Sequence, residues 1–123
     1  MITKKDLKQK IEKCVQEAQE DMFLQNWDII VYYDNKIDSV GQCERDREYL
    51  RAWITFNLDK VFEDYKTFKE NSLKSYCYHE VAHILIKELE FLATCRYIGE
   101  EEISTERERL TESIARIILK LKK

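Results

Sequence analysis

The sequence predicts an α+β fold, a small three-stranded twisted sheet packed on helices, with one helix at the centre and another closing the C-terminal end. Three observations lead there. The segments WDIIVYY at 27–33 and YLRAWITFNL at 49–58 are rich in β-branched and aromatic residues. Long stretches on either side of them repeat apolar residues at helical spacing. The 123-residue chain is long enough to close one core, but too short for a catalytic unit and a separate recognition unit. A single domain over residues 1–123 is therefore expected.

Proline is absent and the only glycines are Gly41 and Gly99, so boundaries have to be read from Asp, Asn and Ser. From about Lys4 to Met22, the residues Leu7, Ile11, Cys14, Val15, Ala18 and Met22 lie on one helical stripe. Trp27 to Tyr33 suits a strand, and Asp34-Asn35-Lys36 supplies a turn. A weaker strand is expected from about Ser39 to Glu44 through Gly41, with polar Arg45 to Glu48 as a hairpin connection. In the next strand Ala52, Ile54, Phe56 and Leu58 alternate with Trp53, Thr55 and Asn57, as one buried face requires.

Asp59 can cap a short second helix whose stripe is Val61, Phe62, Tyr65 and Phe68, and Asn71 and Ser72 can end it and cap the next. The third helix, from about Leu73 to Leu92, is apolar nearly all round, which places it centrally. Gly99 falls in a polar loop. Ser104 can then cap a last helix with the stripe Leu110, Ile114, Ile117, Ile118 and Leu121.

Composition excludes several classes of function. With 21 basic against 24 acidic residues the net charge is −3, so no overall field attracts nucleic acid or an anionic membrane. The first twenty residues form a charged amphipathic stretch rather than a signal peptide. No apolar run approaches the roughly 18–20 residues that span a bilayer. Cys14, Cys43, Cys77 and Cys95 are scattered, without the short spacing of metal knuckles or the density of a secreted disulfide scaffold. They read as reduced, ordinary thiols of a cytoplasmic protein, and the sequence leaves oligomeric state open.

The chain's two histidines, His79 and His83, are four residues apart on the central helix, with Glu80 directly after the first. Positions four apart lie one turn above each other, so both imidazoles can reach one metal ion from a single helical face. Glu80 points in a neighbouring direction, close enough to touch a water on that metal without being a ligand. Zinc lowers such a water's pKa to roughly 7, and a carboxylate beside it can take the proton and pass it to a leaving amine. Chance gives this pattern in roughly one such sequence in several hundred.

A catalytic zinc ion usually has three protein ligands, and no third histidine exists. The last helix offers Glu106, Glu108 and Glu112. Glu108 and Glu112 are one turn apart and flank Ser104, Thr111 and Ala115, small residues that let this helix approach the central one. Glu108 is the expected ligand, with Glu112 accepting a ring N–H from a ligating histidine and fixing its tautomer. The two could exchange roles. Cys77, two residues before His79, points away from the metal face.

These residues resemble the zincin metallopeptidases, and within them the gluzincins, in which H-E-x-x-H is followed by a glutamate ligand on a later helix. Glu108-Arg-Leu-Thr-Glu112-Ser-Ile-Ala115 is similar to that later segment in small gluzincins and in ImmA/IrrE-type peptidases. Residues 27–92, with Trp27, AWITFNL and LKSYCYHEVAHIL, are similar to SprT-like and phage-encoded metallopeptidases. The resemblance implies a minimal zincin-like domain that hydrolyses peptide bonds with Zn2+, with Glu108 as ligand and Glu80 as general base. It implies a peptide or protein substrate bound in extended form along a sheet edge, with the strand at Trp53 to Asn57 as that edge. It also implies a tyrosine donor to the oxyanion, for which Tyr97 is the candidate; Tyr76 and Tyr78 read as packing groups. SprT-like enzymes use a third histidine and often add a zinc ribbon. This chain has neither, so the glutamate version is favoured and a DNA-linked role is unsupported. The competing expectations are a catalytically inactive zincin-like protein-binding module and a helical interaction protein without metal.

Overall fold

The computed structural model describes residues 2–94 and 100–121. They form an α+β arrangement of four helices and one three-stranded mixed sheet, in the order α1 (Lys4–Asp21), β1 (Asp28–Tyr33), β2 (Gly41–Asp46), β3 (Arg51–Phe56), α2 (Leu58–Phe68), α3 (Glu70–Thr94) and α4 (Glu100–Leu121). Helix α1 opens on a capping box, in which the Thr3 hydroxyl accepts from the Asp6 N–H and the Asp6 carboxylate accepts from the Thr3 N–H. Its buried stripe is the one the periodicity marks, Leu7, Ile11, Cys14, Val15 and Ala18. The turn to β1 passes through Phe23 at φ 58 and is tied down by Gln19, whose amide donates to the carbonyls of Leu24 and Trp27.

Strand β3 lies between the other two, parallel to β1 and antiparallel to β2. This corrects the expectation that the strand at Trp53 to Asn57 is an edge. Its alternation is the reason: Ala52, Ile54 and Phe56 are fully buried, which needs a neighbour on each side as well as a helix below. The edge beside the central helix is β2. That strand runs to Asp46 rather than stopping near Glu44, because Arg45 and Asp46 pair with Ala52 and Arg51. Arg45 resembles a turn residue in composition, yet its guanidinium reaches α3, donating to the Glu88 carboxylate and the Lys87 carbonyl.

Helix α2 is capped by Asn57, not Asp59. The Asn57 carboxamide oxygen accepts from the Lys60 N–H, and its nitrogen donates to the carbonyls of Asn35 and Ile37, tasks for which Asp59, already inside the helix, is misplaced. Lys69, at φ 54, breaks the chain between α2 and α3. The central helix therefore starts at Glu70, one turn before Leu73, and Asn71 and Ser72 lie in its first turn. Leu73, Cys77, Tyr78, Val81, Ala82 and Ile84 are buried on α3, which packs against α1, α2, α4 and the sheet. Helix α4 starts at Glu100 rather than after Ser104, and presents buried Thr111 and Ala115 to the interior. Cys95, Tyr97 and Gly99 lie outside the described residues. Among those described, no helix is long and apolar enough to cross a membrane.

Three helices meet at Glu70, whose carboxylate accepts from Lys10 of α1 and from the Tyr65 hydroxyl of α2. Partial burial alone would raise its pKa, but these two donors outweigh burial and hold it below the ordinary carboxylate value. A lowered folded-state pKa gives stability that is present above the unfolded value, about 4.3, and is lost as pH falls through the folded one. Because the pair is half exposed, Glu70→Gln is expected to lower Tm by a few degrees at most near neutral pH, and by nothing well below pH 4. Thermal melts across pH check this.

Candidate metal centre

His79 and His83 project from one face of α3 into a cleft of about 690 Å³ walled by β2 on one side and by α4 on the other. Their ring centroids are 4.9 Å apart and the planes stand at 81°, so the rings converge edge to face rather than stacking. Helix α4 settles how each ring is turned. His79 Nδ1–H donates to the Glu112 carboxylate, and His83 Nδ1 is 3.4 Å from the hydroxyl of Thr111, which is wholly buried. Because the Glu112 carboxylate can only accept, the neutral His79 ring keeps its lone pair on Nε2; the Thr111 hydroxyl, which can donate or accept, engages His83 Nδ1 and turns Nε2 of that ring to the cleft.

Both Nε2 atoms face the same carboxylate oxygen. Glu108 Oε2 is 3.9 Å from His79 Nε2 and 3.6 Å from His83 Nε2. A tetrahedral zinc ion with bonds of about 2.1 Å separates its donors by roughly 3.4 Å, and both distances to Glu108 Oε2 come within about half an ångström of that. Two imidazoles and one carboxylate are also a chemically suitable set for zinc. Glu112, whose second oxygen accepts from Arg116 Nε at 2.9 Å, is kept ionised. Burial would raise its pKa, but the donors His79 and Arg116 outweigh it and lower it.

Glu80 lies on the β2 side. Its ligand-type oxygen and the histidine nitrogens fall within 4.8 Å of one another, so two carboxylates flank the imidazole pair. Glu80 is adjacent to His79 and three residues before His83, so α3 alone brings these three side chains together as a group that could hold a metal ion, whereas Glu108 arrives from across the cleft. Glu80 is 7% exposed. Burial pushes its carboxyl up to about 7; His79 opposes this, Glu108 adds to it and Lys87 opposes it. The side chain rests against Gly41, where a Cβ would come within 3.1 Å of the Glu80 Cγ, Cδ and Oε2. Gly41 is thus a close-approach glycine.

The structure brings together His79, Glu80, His83 and Glu108, and sets Glu112 behind His79. Tyr97 lies outside the described residues, as does the Glu106 side chain. Tyr76 lines the cleft and donates its hydroxyl to Asp64, while Tyr78 is buried and donates to Asp21 at 2.5 Å. Cys77 faces α1, its thiol 3.8 Å from the Ile11 carbonyl. Among the described residues Cys14, Cys43 and Cys77 form no disulfide, and burial pushes the Cys43 thiol up to about 12, a value at which it is not nucleophilic.

Three features of the site escape sequence reasoning: the Thr111 contact with His83, the contact of Gly41 with Glu80, and Lys87 on the cleft wall. Lys87 alone carried a signal, since it sits four residues after His83 on the same helical face. No protein-family profile, curated protein or solved structure matches the chain.

Proposed function

We propose that this chain is a cytoplasmic zinc-dependent metallopeptidase of the zincin kind, gluzincin-like in its glutamate ligand, with His79, His83 and Glu108 as the metal ligands. The observation that carries this reading is the convergence of both histidine Nε2 atoms on Glu108 Oε2, with buried Glu80 at their side. A zinc ion held there supplies Lewis acidity, polarising the scissile carbonyl and making water acidic enough to lose a proton near neutral pH.

The remaining work falls to this chain's side chains. Glu80 takes the proton from the attacking water at a carboxylate oxygen and hands it to the leaving amine nitrogen. Its buried setting keeps the carboxyl basic enough for both transfers. Glu112 holds the His79 imidazole in the tautomer that leaves its Nε2 lone pair to the cleft, and Thr111 holds the orientation of the His83 ring. An extended peptide or protein substrate is accommodated along the free edge of β2, which forms the facing wall.

The direct test is hydrolysis of a quenched-fluorescence peptide library by purified protein, before and after chelation and after zinc is restored. Cleavage that disappears with the chelator and returns with zinc is the expected result; no cleavage by zinc-loaded protein would count against it. Gly41→Ala gives a finer check. The added methyl displaces Glu80 by a few tenths of an ångström, so kcat is expected to fall about tenfold, with zinc affinity unchanged in a competition titration.

A further inference from the structure

The sheet register decides which backbone groups of β2 face the cleft. Asn57 N–H donates to the Val40 carbonyl at 2.8 Å, directly opposite by continuation of the Gly41 to Phe56 pairing. Antiparallel pairs alternate between bonded and non-bonded. Gln42 and Glu44 therefore spend their backbone groups on β3, while those of Gly41, Cys43 and Arg45 point outward to the free edge. The chain's own side chains occupy two of these outward carbonyls: Ser39 Oγ donates to Gly41 O at 2.8 Å, and Lys87 Nζ donates to Cys43 O at 2.5 Å.

Among the described residues Lys87 is the one lysine or arginine lining this cleft, beside Glu44, Glu80, Glu108 and Glu112. Its neighbours on the same wall are differently employed. Arg45 and Arg47 both pair with Glu88, and Arg47 also covers the Phe91 ring at 4.2 Å. Lys87 has no salt bridge among the described residues. Its ammonium is spent on a neutral carbonyl that a strand adding to β2 would itself need.

We infer that Lys87 selects the substrate: it caps the edge of β2 at Cys43 and yields that carbonyl to a peptide bearing a carboxylate, which then takes the ammonium. This rests on the reading of β2 as the substrate edge. In the exchange every partner is conserved. The incoming strand's N–H replaces the ammonium at Cys43 O, and the ammonium gains a charged acceptor, stronger than the neutral one it leaves. A peptide without a carboxylate at that place either leaves Lys87 without an acceptor or fails to displace it. The carboxylate can come from an acidic side chain or from the peptide's own C-terminus.

The test reads binding, so it does not depend on cleavage. Fluorescein-labelled short peptides of alanine and serine carry one glutamate at successive positions, or glutamine in its place, each with a free or an amidated C-terminus. Their anisotropy is measured with the zinc-loaded full chain bearing Glu80→Gln, with and without Lys87→Met. Binding about tenfold tighter for one glutamate position, or for the free C-terminus, is expected, and Lys87→Met is expected to erase it; whichever peptide series shows the effect identifies the source of the carboxylate. A preference that survives Lys87→Met belongs to the metal and overturns the inference. Absence of any preference, or of any binding, overturns it too. Should wild-type protein cleave peptides while this preference is absent, the peptidase reading stands and the role of Lys87 falls. Should the preference appear without cleavage, Lys87 selects ligands for a non-hydrolytic site.

Discussion

Glu80→Gln is expected to leave zinc in place and to lower peptide hydrolysis by at least about a hundredfold, the range in which general bases act. The isosteric amide keeps the contact with Gly41 but can neither accept the water's proton nor return it. Zinc content is expected to hold because the change leaves the three proposed ligands, His79, His83 and Glu108, in place. The variant also separates the two leading readings. A binding module built on the same metal site would show no hydrolysis in the parent protein either, and peptide affinity would be unmoved by the change. Loss of zinc on Glu80→Gln would make Glu80 part of the metal's support and remove it from the proposed chemistry.

Removing Glu108 is expected to weaken zinc binding more than removing Glu112. Glu108→Ala deletes one of three proposed ligands, and the affinity that remains comes from two imidazoles on one helical turn. Glu112→Ala only frees His79 Nδ1, and the loss of such a support typically costs 10–100-fold in metal affinity. A fall well beyond about a hundredfold is therefore expected for Glu108→Ala. Competition with a chromophoric chelator measures both. The reverse order would make Glu112 the ligand, and would mean that the hydrogen bond from His79 to Glu112 does not describe the metal-loaded site.

Much of this arrangement is legible in the sequence, for a physical reason. Periodicity and register are local properties, so the stripe of α1, the alternation of Ala52, Ile54 and Phe56, and the all-round apolar surface of α3 each announce burial directly. The spacing of His79 and His83 does the same for their shared face. What depends on distant partners was not legible. Nothing local to Trp53–Asn57 says that β1 and β2 pair on both its sides, so by sequence alone the central strand reads as an edge. Asn57 and Asp59 are both good caps by residue type, and only the carbonyls of Asn35 and Ile37 choose between them. Arg45 looks like a turn residue until Glu88 and the Lys87 carbonyl appear on the helix opposite. Gly41 likewise becomes meaningful only when Glu80 is found against it.

The same distinction applies within the candidate site. The helical pair and its glutamate are one local motif, whereas the approach of Glu108 depends on α4 folding back over α3. Small, buried Thr111 and Ala115 at that interface were a usable signal, because they permit two helix backbones to come close. The hydroxyl of Thr111 turns out to do more than save space: it holds the His83 ring from behind.

The most direct measurement is the zinc content of the purified full chain beside that of His83→Ala, with circular dichroism confirming that both are folded. The proposed ligand set of two imidazoles and the Glu108 carboxylate predicts about one zinc ion per parent chain and almost none in the variant. A folded parent chain without zinc, or a variant that retains as much as the parent, would contradict the account.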